Sequence, residues 1–172
     1  SPGLVFVPDT PAADDLVATA GAAIDQASAG CMLTPRIAAS FAAGVERFAA
    51  VPGVRRVAQS PMDQTIAALC TPTLFETDLD TFLAYHEELA VEVFGSVTLI
   101  VRTPTPAALV ESVLPLLEGQ LTATIHAEPA DQELAAQLLP HLELLAGRIV
   151  FNGWSTGLEV NDSVIHGGPF PA

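Results

Sequence analysis

The chain contains no lysine: six arginines are its only permanently cationic side chains, against 20 acidic residues, for a formal net charge of −14. That balance excludes nucleic acid as a partner, because neutralising phosphates takes a basic stripe. It also excludes chemistry built on lysine within these residues, whether a Schiff base, a P-loop or a kinase-type phosphate contact. Cysteine is scarce too. Cys31 and Cys70 stand far apart in no C-x-x-C arrangement, which gives no zinc signature and suits a reducing, cytoplasmic setting. No apolar run approaches a membrane span and no signal peptide is visible, so no membrane partner is expected. Half of the 172 residues are hydrophobic and only 15% are charged, enough for one globular domain with a real core.

What is present alternates between two periodicities. Leu4–Val7 reads as a buried strand. Thr10-Pro11 supplies an N-cap and a proline at the first helical position, with Asp14 and Asp15 in the favoured acidic first turn; this helix is expected to reach about Ala29, before Gly30. Thr34-Pro35 repeats the start signal, and Ile37, Phe41, Val45 and Phe48 share one face of the helix that follows. Val54–Ala58, with Arg55 and Arg56 in it, reads as a short strand near an edge. Pro72–Phe75 reads as another strand, Glu76–Asp80 as a polar turn, and Thr81 to about Ala90 as helix. Val97–Val101, apolar except at Thr98, reads as a strand covered on both faces.

Thr105-Pro106 opens a further helix with a stripe of Val110, Val113, Leu114 and Leu117. Leu121–His126 is a strand, Pro129 to about Leu145 a helix with Leu134, Leu138, Leu142 and Leu145 facing inward, and Gly147–Phe151 the last strand. Pro115 and Pro140 predict kinks or early ends in those two helices. Asn152 to Ala172 is rich in Gly, Asn and Pro and reads as loop. Helices alternating with short apolar strands imply an α/β fold, a layered α/β/α domain with a mostly parallel sheet.

One carboxylate stands out. Glu92 leads into the apolar Val97–Val101 run, followed by Phe94-Gly95, and a lone carboxylate is costly to bury without a partner. It therefore stays in solvent at the strand's mouth or is held by something that needs an acceptor. The pattern alone favours a solvated Glu and a core Phe. Of the histidines, His86-Glu87-Glu88 lacks the second His of a zincin, since residue 90 is Ala. His126 and His141 read as surface or satisfied residues, and Cys31 and Cys70 as small buried hydrophobes.

Glu92-Val93-Phe94-Gly95 resembles the E-x-F-G segment of the aldehyde dehydrogenase superfamily. The opening Ser1-Pro-Gly-Leu-Val-Phe-Val7 is similar to the strand that follows that family's catalytic cysteine. Phe151-Asn-Gly-Trp154, Val160-Asn-Asp-Ser-Val164 and His166-Gly-Gly-Pro-Phe170 resemble the branch that oxidises 2-oxoglutarate semialdehyde (2,5-dioxopentanoate), whereas most members carry P-F-G-G at the last of these.

The resemblance implies a cofactor, NADP or NAD, with Glu92 hydrogen-bonding the nicotinamide ribose and Phe94 beside the nicotinamide. It implies a small-molecule aldehyde as substrate, with Trp154, His166 and Phe170 along its tunnel. The family attacks the aldehyde with a thiolate, forms a thiohemiacetal and hydrolyses the resulting thioester. It is usually dimeric or tetrameric, which implies a homo-oligomer for the intact protein.

By the same resemblance, no catalytic residue lies in this chain: the nucleophilic Cys and general-base Glu are expected upstream of Ser1. Residues 1–172 then form a fragment of the catalytic (C-terminal) domain, lacking the nucleotide-binding domain and inactive alone. Both ends look cut from something longer. The cation that reads a distal carboxylate is expected in the missing part, since no Arg lies in the tunnel loop. The alternative is a non-catalytic α/β binding or scaffold module.

Overall fold

The computed structural model describes residues 2–154, which fall into two compact units, one up to Thr105 and one from Pro106. The first unit holds the main sheet. Strand β1 (Leu4–Pro8) is followed by α1 (Pro11–Gln26), the short β2 (Gly30–Cys31), α2 (Pro35–Ala50), β3 (Arg55–Gln59) and the short β4 (Leu69–Cys70). Then come β5 (Thr73–Asp78), α3 (Leu79–Ala84), α4 (His86–Leu89) and β6 (Val97–Thr103). The sheet order is β1-β6-β5-β3; β6 runs parallel to both β1 and β5, and β3 is antiparallel at one edge.

Side-chain alternation assigns the layers. Val5 and Val7 of β1, Leu74 and Ile100 face one way and pack on Val17, Ala20 and Ile24 of α1. The residues between them face the other way: Phe6 meets Phe82 of α3 edge-on, and Phe75 meets Phe48 of α2. Leu99 and Val101 on that face are fully buried. The unit is thus the expected three-layer α/β/α arrangement with a mostly parallel sheet, and β6, covered on both faces, is its centre.

Glu76 and Asp78 correct the polar turn expected after Phe75. Both lie in β5, which runs on to Asp78. Glu76 is tolerated there because Arg102 on the neighbouring β6 donates Nε–H to it at 2.7 Å, and Arg55 on β3 reaches its other oxygen. Arg102 also donates to Asp14 of α1 at 2.8 Å, with Asp9 at 3.5 Å. Burial opposes the charge on Arg102, but its hydrogen bonds to the Glu76 and Asp14 carboxylates, with their charges, outweigh it and raise its pKa. Asp78 ends the strand by accepting from the Thr81 N–H at 2.7 Å, so it caps α3. The helix expected from Thr81 to Ala90 is broken at Tyr85 into α3 and α4.

α1 stops at Gln26, three residues short of the expectation, because Gly30-Cys31 pairs with Leu69-Cys70 and the chain must extend to reach that partner. Thr34 caps α2 as expected, its hydroxyl accepting from the Ile37 N–H at 3.2 Å. Thr10 makes no such bond.

The second unit is built on one β-α-β turn. Strand β7 (Gln120–Ile125) and β8 (Ala146–Phe151) pair in parallel, joined through α5 (Gln132–Leu145). Leu138 and Leu142 are buried with Ile125, against Leu134, Leu145 and Ile149. The helix expected after Thr105 is instead a π-helical turn, Leu109–Val113, followed by a 3₁₀ turn, Leu114–Leu116. Pro115 is the cause, since it has no N–H for the Glu111 carbonyl. Pro140 does not end α5, which reaches Leu145 as expected, so of the kink or early end foreseen there the early end does not occur. The carbonyl it leaves without a helical partner belongs to exposed Ala136, where it is open to solvent and the loss is cheap. No described helix is long and apolar enough to cross a membrane.

Candidate functional site

The segment between α4 and β6 is anchored at both ends. Leu89 is buried at one, and the Thr73 N–H donates to the Ser96 carbonyl at 2.9 Å at the other. Between them residues alternate. Val93 and Gly95 are half-buried, while Glu92 and Phe94 are exposed.

The inward residues are seated on α2 by two close approaches. A Cβ placed on Gly44 of α2 would lie 2.6 and 2.8 Å from the two methyls of Val93, so only a residue without a side chain leaves that notch open. A Cβ on Gly95 would lie 2.4 Å from Cδ2 of Phe41, itself buried on the same helix face. Gly95 also has φ +146°, a region essentially reserved for glycine. Glycine inside a helix costs roughly 1 kcal/mol relative to alanine, so Gly44 is a local weakness that the contact with Val93 explains.

The outward residues face a groove. Phe94, 66% exposed, lines a cavity of about 500 Å³ with Arg36, Ile37 and Ser40 from the first turns of α2. The Glu92 carboxylate is exposed and has no hydrogen bond or ion pair among the described residues. The segment therefore offers a free anionic acceptor and, one residue on, an apolar ring face. Phe94 corrects the reading of the pattern alone: it is not a core residue. The pair suits the ribose hydroxyls and flat ring of a nicotinamide nucleoside, which need an acceptor and a surface.

This groove lies at the amino end of β6, whereas α/β sheets generally bind ligands beyond the carboxyl ends of their strands. That opposite end carries the Arg102–Glu76–Asp14 cluster. Its buried members are all paired, so it serves the fold.

Trp154 stands in the second unit, 68% exposed, with its ring 5.0 Å from that of His126 at 50°. His166 and Phe170 lie outside the described residues. His126 and His141 are exposed, and the His86 ring nitrogen Nδ1 lies 3.1 Å from the Leu83 carbonyl. Cys70 is buried as expected, but Cys31 is exposed, because its two-residue strand presents it away from the helices. Among the described residues no cluster could hold a metal ion.

Sequence reasoning missed Gly44 and the groove residues Arg36 and Ser40, and read Phe41 as one of a helix's apolar face without its contact to the segment. The only available signal was a glycine placed mid-helix on the same face as Phe41 and Phe48.

No family model matches the chain. Over all 172 residues it is 42% identical to alpha-ketoglutaric semialdehyde dehydrogenase 2 of Azospirillum brasilense, covering 32% of that protein. Over 171 residues it is 35% identical to alpha-ketoglutaric semialdehyde dehydrogenase of Acinetobacter baylyi, again covering 32%. Among solved structures, the delta-pyrroline-5-carboxylate dehydrogenase of Mycobacterium tuberculosis superposes with a TM-score of 0.75 at 16% identity, over 99% of this chain and 32% of that one. The same enzyme has been solved bound with NAD. The chain spans about a third of the length of the curated relatives it matches.

Proposed function

We propose that the chain, 42% identical over its whole length to an alpha-ketoglutaric semialdehyde dehydrogenase, is a portion of an aldehyde dehydrogenase, and that the intact protein oxidises 2-oxoglutarate semialdehyde to 2-oxoglutarate with NAD or NADP. The observation that carries this reading is the E-V-F-G segment, which holds an unpartnered carboxylate and an exposed ring side by side. The bound dinucleotide would supply the hydride acceptor. Glu92 accepts hydrogen bonds from the nicotinamide ribose, fixing the sugar, while Phe94 packs beside the nicotinamide and keeps water from that side of it. Trp154, His166 and Phe170 are assigned to the path of the aldehyde on the strength of the resemblance alone.

The nucleophilic thiolate and the general base come from residues outside these 172. Cys31 and Cys70 sit on a short two-stranded ribbon, and among the described residues neither thiol hydrogen-bonds a His, Asp or Glu. The 172 residues are therefore a catalytic-domain portion, inactive by themselves, of a cytoplasmic homo-oligomer.

Glu92→Gln in the intact protein tests the assignment. Glutamine keeps the size but loses the charge that strengthens each hydrogen bond, a difference of about 1–1.5 kcal/mol for each of the one or two ribose hydroxyls held. A fall of roughly ten- to hundred-fold in kcat/KM for the cofactor is expected. Unchanged kcat and cofactor KM would remove Glu92 from the site. A preference for simple alkanals over the semialdehyde would overturn the substrate.

A further inference from the structure

We propose that Gly44 is a positioning residue for the cofactor: the notch it leaves in α2 receives Val93 and thereby sets where Glu92 and Phe94 point. The inference rests on the assignment of Glu92 and Phe94 to the nicotinamide end of the dinucleotide. Its basis is the alternation along the segment. Val93 and Gly95, either side of Phe94, both pack against α2 at distances that leave no room for an added Cβ, on Gly44 in the first case and on Gly95 itself in the second. Gly44 and Phe41, which receive them, are three apart on α2 and so lie on one face.

Two fixed points around a single residue determine both its position and the direction of its side chain. Val93 is β-branched, with a stiff χ1, so it transmits displacement to the backbone instead of absorbing it by changing rotamer. Any side chain at 44 pushes Val93 outward and carries Glu92 and Phe94 with it. The loss should appear in cofactor binding while the aldehyde is still accepted, because a shift of about 1 Å in a positioning contact costs up to roughly a hundred-fold.

The test is a double-mutant cycle in the intact protein, made of Gly44→Ala, Val93→Ala and the pair. It is read by calorimetric Kd for NAD and NADP, by KM for the aldehyde and by melting temperature. Gly44→Ala, which overfills the notch, and Val93→Ala, which empties it, are each expected to weaken the preferred dinucleotide about ten-fold or more, with aldehyde KM little changed. The pair, restoring the volume from the other side, is expected to bind more tightly than either single variant.

A folded Gly44→Ala protein with wild-type cofactor Kd overturns the proposal. So does a pair whose losses simply add. Where Gly44→Ala does not fold, Val93→Ala alone decides: unchanged cofactor Kd overturns the proposal, and a weakened one supports it. Glu92→Gln, measured in parallel, separates the two failures. If it leaves cofactor binding intact, the assignment of the site itself is wrong; if it weakens binding while the cycle shows no coupling, only the role of Gly44 is lost.

Discussion

Gly95→Ala carries two separable costs, and each can be worked from the geometry. The first is torsional. At φ +146° an alanine occupies a region essentially closed to residues with a Cβ, at about 1–3 kcal/mol. The second is steric. The new methyl would lie 2.4 Å from Cδ2 and 2.9 Å from Cε2 of Phe41, with the Met32 methyl at 3.1 Å. Phe41 is buried and cannot swing into solvent, so relief requires the backbone of the segment to move, at about 1–3 kcal/mol.

Together these give about 2–6 kcal/mol. For a domain of this size, with about 2–4 °C per kcal/mol, the melting temperature should fall by roughly 4–24 °C. Denaturant unfolding followed by circular dichroism measures the loss. Adding Phe41→Ala separates the terms, because it removes the clash and leaves the torsion. Phe41→Ala alone should cost about 3–5 kcal/mol through the cavity it opens. The double variant should therefore be less destabilised than the sum of the singles by at least about 1 kcal/mol. Additivity within about 0.5 kcal/mol would refute the steric half of the reasoning, and a melting temperature within 2–4 °C of wild type, less than about 1 kcal/mol, would refute both.

The Arg102 cluster and the Asn152 clamp make two further tests. Arg102 and Glu76 are each only 12% exposed, so Arg102→Met leaves Glu76 with Arg55 alone and should cost about 2–4 kcal/mol in a chemical melt. Replacing Glu76 by Met as well should recover most of it, and a loss under about 0.5 kcal/mol in the single variant would show the cluster to be ornamental. Asn152, at φ 48°, accepts from the Ala127 N–H at 2.8 Å and donates to its carbonyl at 3.1 Å. Asn152→Ala should destabilise by about 2–3 kcal/mol, since it loses both bonds and keeps the left-handed backbone. Asn152→Gly should be milder by about 0.5–1 kcal/mol; equal or greater damage from glycine would mean that the conformation is not what alanine disturbs.

The strands and caps that could be read from the chain were those set by local rules. Leu4–Pro8 and the start of β6 are apolar runs, and Thr34-Pro35 is a capping pair whose hydrogen bond forms within four residues. The failures come from distant partners. Glu76 and Asp78 looked like a turn because polarity normally ends a strand; the arginines that neutralise Glu76 come from residues 55 and 102. Pro140 read as a kink or an early end, and which of these a proline brings depends on what surrounds the carbonyl it leaves, which periodicity does not reveal. Pro115, judged by the same rule, did disrupt its helix. At the site, Glu92 and Phe94 were found through resemblance to a short motif. The helix face that seats them was invisible, because a glycine notch acquires meaning only once a valine from fifty residues away is placed in it.

The pairing of Gly30 with Cys70 and Cys31 with Leu69 puts the two thiols on adjacent rungs of an antiparallel ribbon, hence on opposite faces. They cannot close on each other. In the 172 residues by themselves, air oxidation is expected to join separate molecules through the exposed Cys31, leaving Cys70 reduced inside. Preparations of this portion stored without reductant should accumulate covalent pairs that Cys31→Ser abolishes, and a non-reducing gel of such material reports its storage history rather than its quaternary structure.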